Sequence, residues 1–206
     1  MTSIDFYFDF ISPYAYLAWT QIRPLAARHG RDVRPIPVLF AALLGHSGTL
    51  GPAEIPLKRA YLYKDTKRLA ATFGVPFAPP PTHPFNPLLA LRIAGIDAST
   101  IDPLYNAVWG GGGGIDSPER VAAILGDDSL IARANEPAAK ARLREATDAA
   151  IAAGVFGVPS MIADGELFWG CDSFGHLERF LEGNDPITPR DKEIYRALVP
   201  SATRKT

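Results

Sequence analysis

Ser12 is the side chain in this 206-residue chain whose type and place give it the strongest claim to chemistry. It follows a run in which Ile4, Phe6, Phe8 and Phe10 alternate with Asp5, Tyr7 and Asp9, the period of a strand with one apolar face. Pro13, directly after it, suits the first position of a helix, where a missing N–H and a fixed φ cost nothing. Ser12 therefore falls at a helix N-cap, where unpaired N–H groups and the positive end of the helix dipole converge. Such a place can hold an anion, a thiolate or a carboxylate. Serine is equally a preferred N-cap residue, and most Ser-Pro helix starts do no chemistry. From this stretch alone both readings stand.

The other reactive residue types narrow the choice. Cys171 is the single cysteine, which excludes an internal disulfide, a paired-cysteine redox motif and a cysteine metal cluster; it reads as a small buried residue. No His/Asp pair stands at a spacing that would make Ser12 the nucleophile of a hydrolase triad. The glycine run at 110–114 has no strand before it and no Lys-Ser or Lys-Thr after it, so it reads as a flexible connector and not as a phosphate loop. His83, in the proline-dense stretch 78–84, is expected to face solvent. Tyr14, Tyr16 and Trp19 belong with the core, with Tyr14 able to look into a cleft.

The elements that must position Ser12 are legible around it. The first helix is expected over 13–28 with Gly30 as its C-cap. A strand follows within 31–40, shortened or interrupted by Pro35 and Pro37; strand, helix and strand in this order make a parallel βαβ unit. From 41 to 154 helix signals follow one another with no convincing strand. A glycine-rich loop spans 45–52, and a helix over 55–73 carries Leu62, Thr66, Leu69 and Phe73 on one stripe. Asn86-Pro87, Asp102-Pro103 and Ser117-Pro118 each read as a cap with proline in the first turn. Another helix runs over 137–153 and stops at Gly154. Strands at 158–163 and 166–169 flank the hairpin turn Asp164-Gly165. Asp172 or Ser173 then caps a last helix bearing Phe174, Leu177, Phe180 and Leu181, ended by Gly183.

Hydrophobic content of 47% suffices for a core, and a net charge of −1 provides no field to recruit nucleic acid or an anionic membrane. With no apolar run of membrane-spanning length and no leader-like start, the expectation is a cytoplasmic protein.

Three segments, Phe8-Asp9-Phe10-Ile11-Ser12-Pro13-Tyr14, Phe156-Gly157-Val158-Pro159-Ser160 and Leu167-Phe168-Trp169-Gly170-Cys171-Asp172, together resemble the 2-hydroxychromene-2-carboxylate isomerase family. That family is related to kappa-class glutathione transferases and to DsbA-type oxidoreductases. The likeness extends to Phe85-Asn86-Pro87-Leu88 and Ala107-Val108-Trp109. It implies an α/β thioredoxin-like fold, βαβ…ββα, with a large helical insertion: residues 1–40 plus 155–185 as the thioredoxin-like part, 41–154 as the insertion, and 186–206 as a tail.

The resemblance also implies roles. Glutathione would be the cofactor, with no metal and no redox group. Val158-Pro159 would be a cis peptide offering the Val158 backbone to the cysteinyl group, and Trp169, Gly170, Cys171 and Asp172 would meet the γ-glutamyl end, Asp172 facing its ammonium. Ser12 stands where redox relatives carry the first cysteine, so dithiol exchange is impossible there; its hydroxyl would instead stabilise the glutathione thiolate. That thiolate would add to a conjugated aromatic α-keto acid, permit rotation and be eliminated again. On the substrate side the resemblance implies Tyr14, Phe85 and Asn86. It also exposes two departures: Leu44 where relatives carry a lysine, and Pro52-Ala53 near a loop asparagine, with Arg59, Lys58 or His83 left to supply the charge. A homodimer is a further implication of the likeness. Two other readings remain open beside the isomerase: a kappa-like glutathione transferase, and a non-catalytic thioredoxin-fold binding protein in which Ser12 is only a cap.

Overall fold

The computed structural model describes residues 3–202. Its sheet has four strands in the order β2-β1-β3-β4: β1 (Ser3–Phe8), β2 (Asp32–Pro37), β3 (Ser160–Ala163) and β4 (Glu166–Trp169). β1 is interior, pairing parallel with β2 and antiparallel with β3, and β3 and β4 form the expected hairpin. Its turn is Asp164-Gly165, both at positive φ (49° and 85°), the conformation a two-residue hairpin loop needs. Pro35 and Pro37 do not interrupt β2. The Val38 N–H donates to the Phe8 carbonyl at 3.0 Å, so alternate residues Arg34 and Ile36 face β1 while both prolines turn their N–H-less nitrogens to the outer edge.

The helices are α1 (Pro13–Arg28), α2 (Phe40–Ser47), α3 (Pro56–Phe73), α4 (Leu88–Ile96), α5 (Ile101–Trp109), α6 (Pro118–Leu125), α7 (Ser129–Asn135), α8 (Pro137–Ala152), α9 (Phe174–Leu181) and α10 (Pro189–Ala197). Among the described residues no helix is long and apolar enough to cross a membrane. One continuous core joins sheet and helices. Phe6, Phe8 and Phe10 are fully buried against Trp19 of α1 and against Tyr105 and Trp109 of α5. The rings approach at centroid distances of 5.5 Å (Phe6–Trp19), 5.4 Å (Phe8–Phe10) and 4.7 Å (Phe10–Tyr105) in tilted or edge-on pairs, the arrangement that aromatic quadrupoles favour. The other face of β1 is covered too: Tyr7 packs with Val38, Leu43, Ala150, Val155 and Val158. β1 is thus buried on both sides, and its alternation marks two different cores, not core and solvent.

Five local expectations are corrected. α2 reaches Ser47, so the loop expected at 45–52 begins only at Gly48. Asp102 is no cap, because it lies inside α5. Its carboxylate accepts Trp19 Nε1 at 2.6 Å and Arg23 at 2.8 Å, tying α5 to α1. Replacing Asp102 by alanine removes the part-buried acceptor of the Trp19 indole N–H, so a loss of about 1 kcal/mol is expected by urea denaturation. The glycine run is not a loose connector. It folds back on α5, where Gly112 sits so close that a Cβ would stand 2.6 Å from Ala107 Cα, and Gly114 N–H donates to the Ala107 carbonyl at 2.8 Å. Neither Asp172 nor Ser173 caps α9 with its side chain: a 3-10 turn, Cys171–Ser173, precedes the helix and the Ser173 hydroxyl donates back to the Gly170 carbonyl at 2.8 Å. Asn86-Pro87 does not start a helix with proline in its first turn: α4 begins at Leu88, with Pro87 itself in the N-cap place and no side-chain cap. Beyond residue 185, α10 forms with an N-terminal capping box at Thr188 and Asp191 and buries none of its residues.

Candidate active site

β1 ends at Phe8, and residues 9–12 carry the chain into α1 through a loop whose backbone is fastened from every side. Ser12 N–H donates to the Asp9 carbonyl at 3.1 Å, and Tyr105 OH reaches the same carbonyl at 3.4 Å. Trp109 Nε1 donates to the Phe10 carbonyl at 2.8 Å, and His83 Nε2 to the Ile11 carbonyl at 2.8 Å. Buried backbone groups must find partners; here residues of α5 and of the 78–85 loop supply them. The helical part thereby fixes the loop that presents Ser12.

Asp9 fastens the same loop from inside. Expected on the polar face of a strand, it is completely buried, its Oδ1 accepting Ile11 N–H at 3.0 Å and its Oδ2 accepting Phe40 N–H, at the start of α2, at 2.9 Å. Burial pushes its carboxyl up to about 7, against the opposing pull of those two N–H groups.

Ser12 caps α1 as expected, at φ −94° and ψ 114°, with its Oγ accepting Ala15 N–H at 3.2 Å. The hydroxyl proton points to the Val158 carbonyl at 3.4 Å, a long contact that a better acceptor can take over. Val158-Pro159 is cis, as the resemblance implied. Among the described residues the Val158 N–H donates to no acceptor, and neither does Tyr14 N–H in the first turn of α1.

Gly170 N–H bonds the Pro159 carbonyl at 2.9 Å, bringing the end of β4 beside the cis peptide. There Trp169 is 54% exposed and tilted against Phe156, itself 47% exposed, at 5.1 Å. Asp172 is exposed and enters no ion pair among the described residues. Cys171 is buried as expected. Its thiol donates to the Tyr14 carbonyl at 3.0 Å, and burial, with the neighbouring Asp172 charge, pushes it up to about 12, so it is not a nucleophile at neutral pH.

The substrate-side expectations divide. Tyr14 OH donates to Asp65 of α3 at 2.7 Å; burial and the Asp65 carboxylate hold the phenol protonated. His83 corrects the expectation of solvent: it turns inward against Trp109 (5.1 Å) and beside Phe85 (6.1 Å). Since Nε2 donates to Ile11, Nδ1 takes the Tyr63 OH proton at 2.9 Å, and burial keeps the ring below its usual pKa and neutral. Arg59 is exposed and donates through Nε to the Ala53 carbonyl at 2.6 Å. Asn86 is exposed and turns its Oδ1 to Leu88 N–H at 3.0 Å, a local turn rather than a contact to Ser12. Asp9, Asp65, Tyr105 and Trp109 were not read as site residues in the sequence; of these, Asp9 and Trp109 carried a signal, each through the motif that contains it.

The model of the DSBA-like thioredoxin domain matches residues 3–182. The chain is 33% identical over 186 residues to the 2-hydroxychromene-2-carboxylate isomerase of Pseudomonas putida, spanning 85% of this chain and 92% of that one. A solved 2-hydroxychromene-2-carboxylate isomerase superposes with a TM-score of 0.79 at 32% identity, over 87% of this chain and 94% of its own. The chain belongs to this isomerase family. Glutathione S-transferase kappa 2 of Caenorhabditis elegans is 29% identical over 204 residues, covering 86% of this chain and 91% of the relative. Within the family the two departures have definite surroundings. Leu44 is half-buried on α2 with its Cδ1 toward Gly51, and Ala53 is buried with its carbonyl held by Arg59.

Proposed function

We propose that the protein is a glutathione-dependent isomerase of the 2-hydroxychromene-2-carboxylate type, acting on a conjugated aromatic α-keto acid. The observation that carries this reading is Ser12 Oγ at the N-terminus of α1, facing the Val158 carbonyl across a cis Val158-Pro159 peptide. The curated isomerases at about a third identity over most of the chain support the reaction class.

The residues present fit glutathione. Just before β3, the Val158 N–H is without an acceptor among the described residues and its carbonyl is held only by the long Ser12 contact, a donor and acceptor of the kind that pairs with a peptide backbone. Exposed Trp169 and Asp172 lie one strand away, an aromatic face and an unpaired carboxylate for the γ-glutamyl group. When bound, glutathione supplies a thiolate that adds reversibly to the substrate and leaves once the intervening bond has turned. Ser12 gives its hydroxyl proton to the sulfur in place of Val158, and the free Tyr14 N–H and the α1 dipole add positive potential at the same point. Asp9, His83, Tyr105 and Trp109 keep the loop still, so that no reorganisation is needed when charge gathers there. On the substrate side this reading rests on Tyr14 of α1, with His83 and Phe85 of the 78–85 loop.

Isothermal calorimetry with glutathione tests the reading, together with turnover of 2-hydroxychromene-2-carboxylate with and without glutathione. Binding, and turnover that requires glutathione, are expected. No binding would overturn the proposal, and a stable adduct in place of released isomer would make the protein a kappa-like transferase.

A further inference from the structure

Two neighbouring clefts, of about 370 and 350 Å³, lie away from Ser12, the first between β2, α4 and α8 and the second between the start of α2, α4 and α8. Arg92 of α4 lines both, and its Nε–H is buried without an acceptor. Arg142 of α8 lines the first cleft, bonding the Gly95 carbonyl at 3.1 Å through one Nη and leaving the rest of its fork free. Lys140 and Arg144 line the second cleft, where Asp148 is the one carboxylate; no carboxylate lines the first. Among the described residues none of these four cations forms an ion pair. A guanidinium with a shielded, unpartnered N–H is unfavourable until an anion neutralises it. The remaining wall of the first cleft is apolar: Pro35, Pro37, Leu91, Ile96 and Leu143.

The geometry points to the first cleft as a binding site for an organic carboxylate with an apolar body, its two oxygens held by Arg92 and Arg142 and its body against the β2 prolines. A guanidinium fork matches the two oxygens of a carboxylate. A phosphate has more oxygens to satisfy, and the wall at Pro35 and Pro37 has no N–H to give them. This site is separate from Ser12 and does not depend on the activity proposed there.

The probe is 2-naphthoate, titrated into ¹⁵N-labelled protein with amide shifts as the readout. Saturable shifts are expected at Leu91, Ala94, Gly95, Ala139 and Leu143, whether or not the Ser12 loop also responds. Arg92→Met and Arg142→Gln are each expected to weaken this binding about tenfold, and Ser12→Ala to leave it unchanged. Arg142 is exposed, so that variant carries the test should Arg92→Met not fold. Shifts confined to the Ser12 loop, affinity unchanged in the arginine variants, loss of the cleft shifts in Ser12→Ala, or displacement by equimolar inorganic phosphate would each overturn the assignment.

Discussion

Turnover of the Ser12→Ala variant is expected to fall about a hundredfold, the loss seen when one preorganised donor to a developing anion is removed. The variant keeps the α1 dipole, the Tyr14 N–H and the Val158 backbone groups, so glutathione should still bind. What goes is the hydrogen bond to sulfur. The pKa of the bound thiol should therefore climb toward the ordinary thiol value of about 8.5, read as thiolate absorbance against pH in wild type and variant. The two measurements separate chemistry from capping. Ala15 N–H also loses its partner, which costs about 1 kcal/mol of stability without touching the thiol. A variant that melts lower but retains near-normal turnover and thiolate absorbance would reduce Ser12 to a helix cap.

Stability should fall as pH rises from about 4 to 7, through Asp9. Its folded-state pKa, about 7, lies above its unfolded value near 3.8. Below both values the carboxyl is protonated in either state and its contribution is fully present. Between them the folded protein keeps a proton that the unfolded chain releases, so stability is lost with rising pH and levels off above about 7. At about 1.4 kcal/mol per unit the swing is on the order of 4 kcal/mol. Asp9→Asn removes the ionisation but meets Ile11 N–H and Phe40 N–H with one oxygen in place of two, a cost of about 1–3 kcal/mol at acidic pH. Urea midpoints of the two proteins from pH 4 to 8 should thus converge as pH rises and then cross, leaving Asp9→Asn the more stable above about pH 7, because the swing is larger than the cost of the substitution. Taking the difference between them cancels the surface carboxylates Asp97, Asp127 and Asp164, which are held low by hydrogen bonds or an arginine and act in the opposite sense. Parallel curves would show that Asp9 titrates as an ordinary carboxylate.

The parts of the fold that were legible are those governed by neighbours in sequence. The Ser12-Pro13 start of α1, the Asp164-Gly165 hairpin and the Ser117 cap of α6 depend on groups two or three residues apart, and all form as read. Asp9 and Asp102 were misread for one reason. Each carries a polar type that suits a surface or a cap, while its partners, Phe40 for the first and Trp19 and Arg23 for the second, lie 31 to 83 positions away. His83 was misread because a proline-dense loop has no period from which to tell its inner from its outer face. The family motifs led to Ser12, the cis peptide and Trp169, yet the residues holding the serine loop from outside, Tyr105 and His83, bond to backbone carbonyls, and a carbonyl leaves no trace in sequence.

The two prolines of β2 bear on how the protein behaves in crowded solution. A foreign strand aligning with that margin of the sheet would meet carbonyl acceptors but, at Pro35 and Pro37, nothing able to donate in return. Such a ladder would be missing alternate rungs, so recruitment of further copies by sheet extension is blocked on the β2 side. Fibrillar growth, if forced by heat or acid, would have to begin from the opposite margin at β4, where Glu166 and the Lys192 ion pair stand guard.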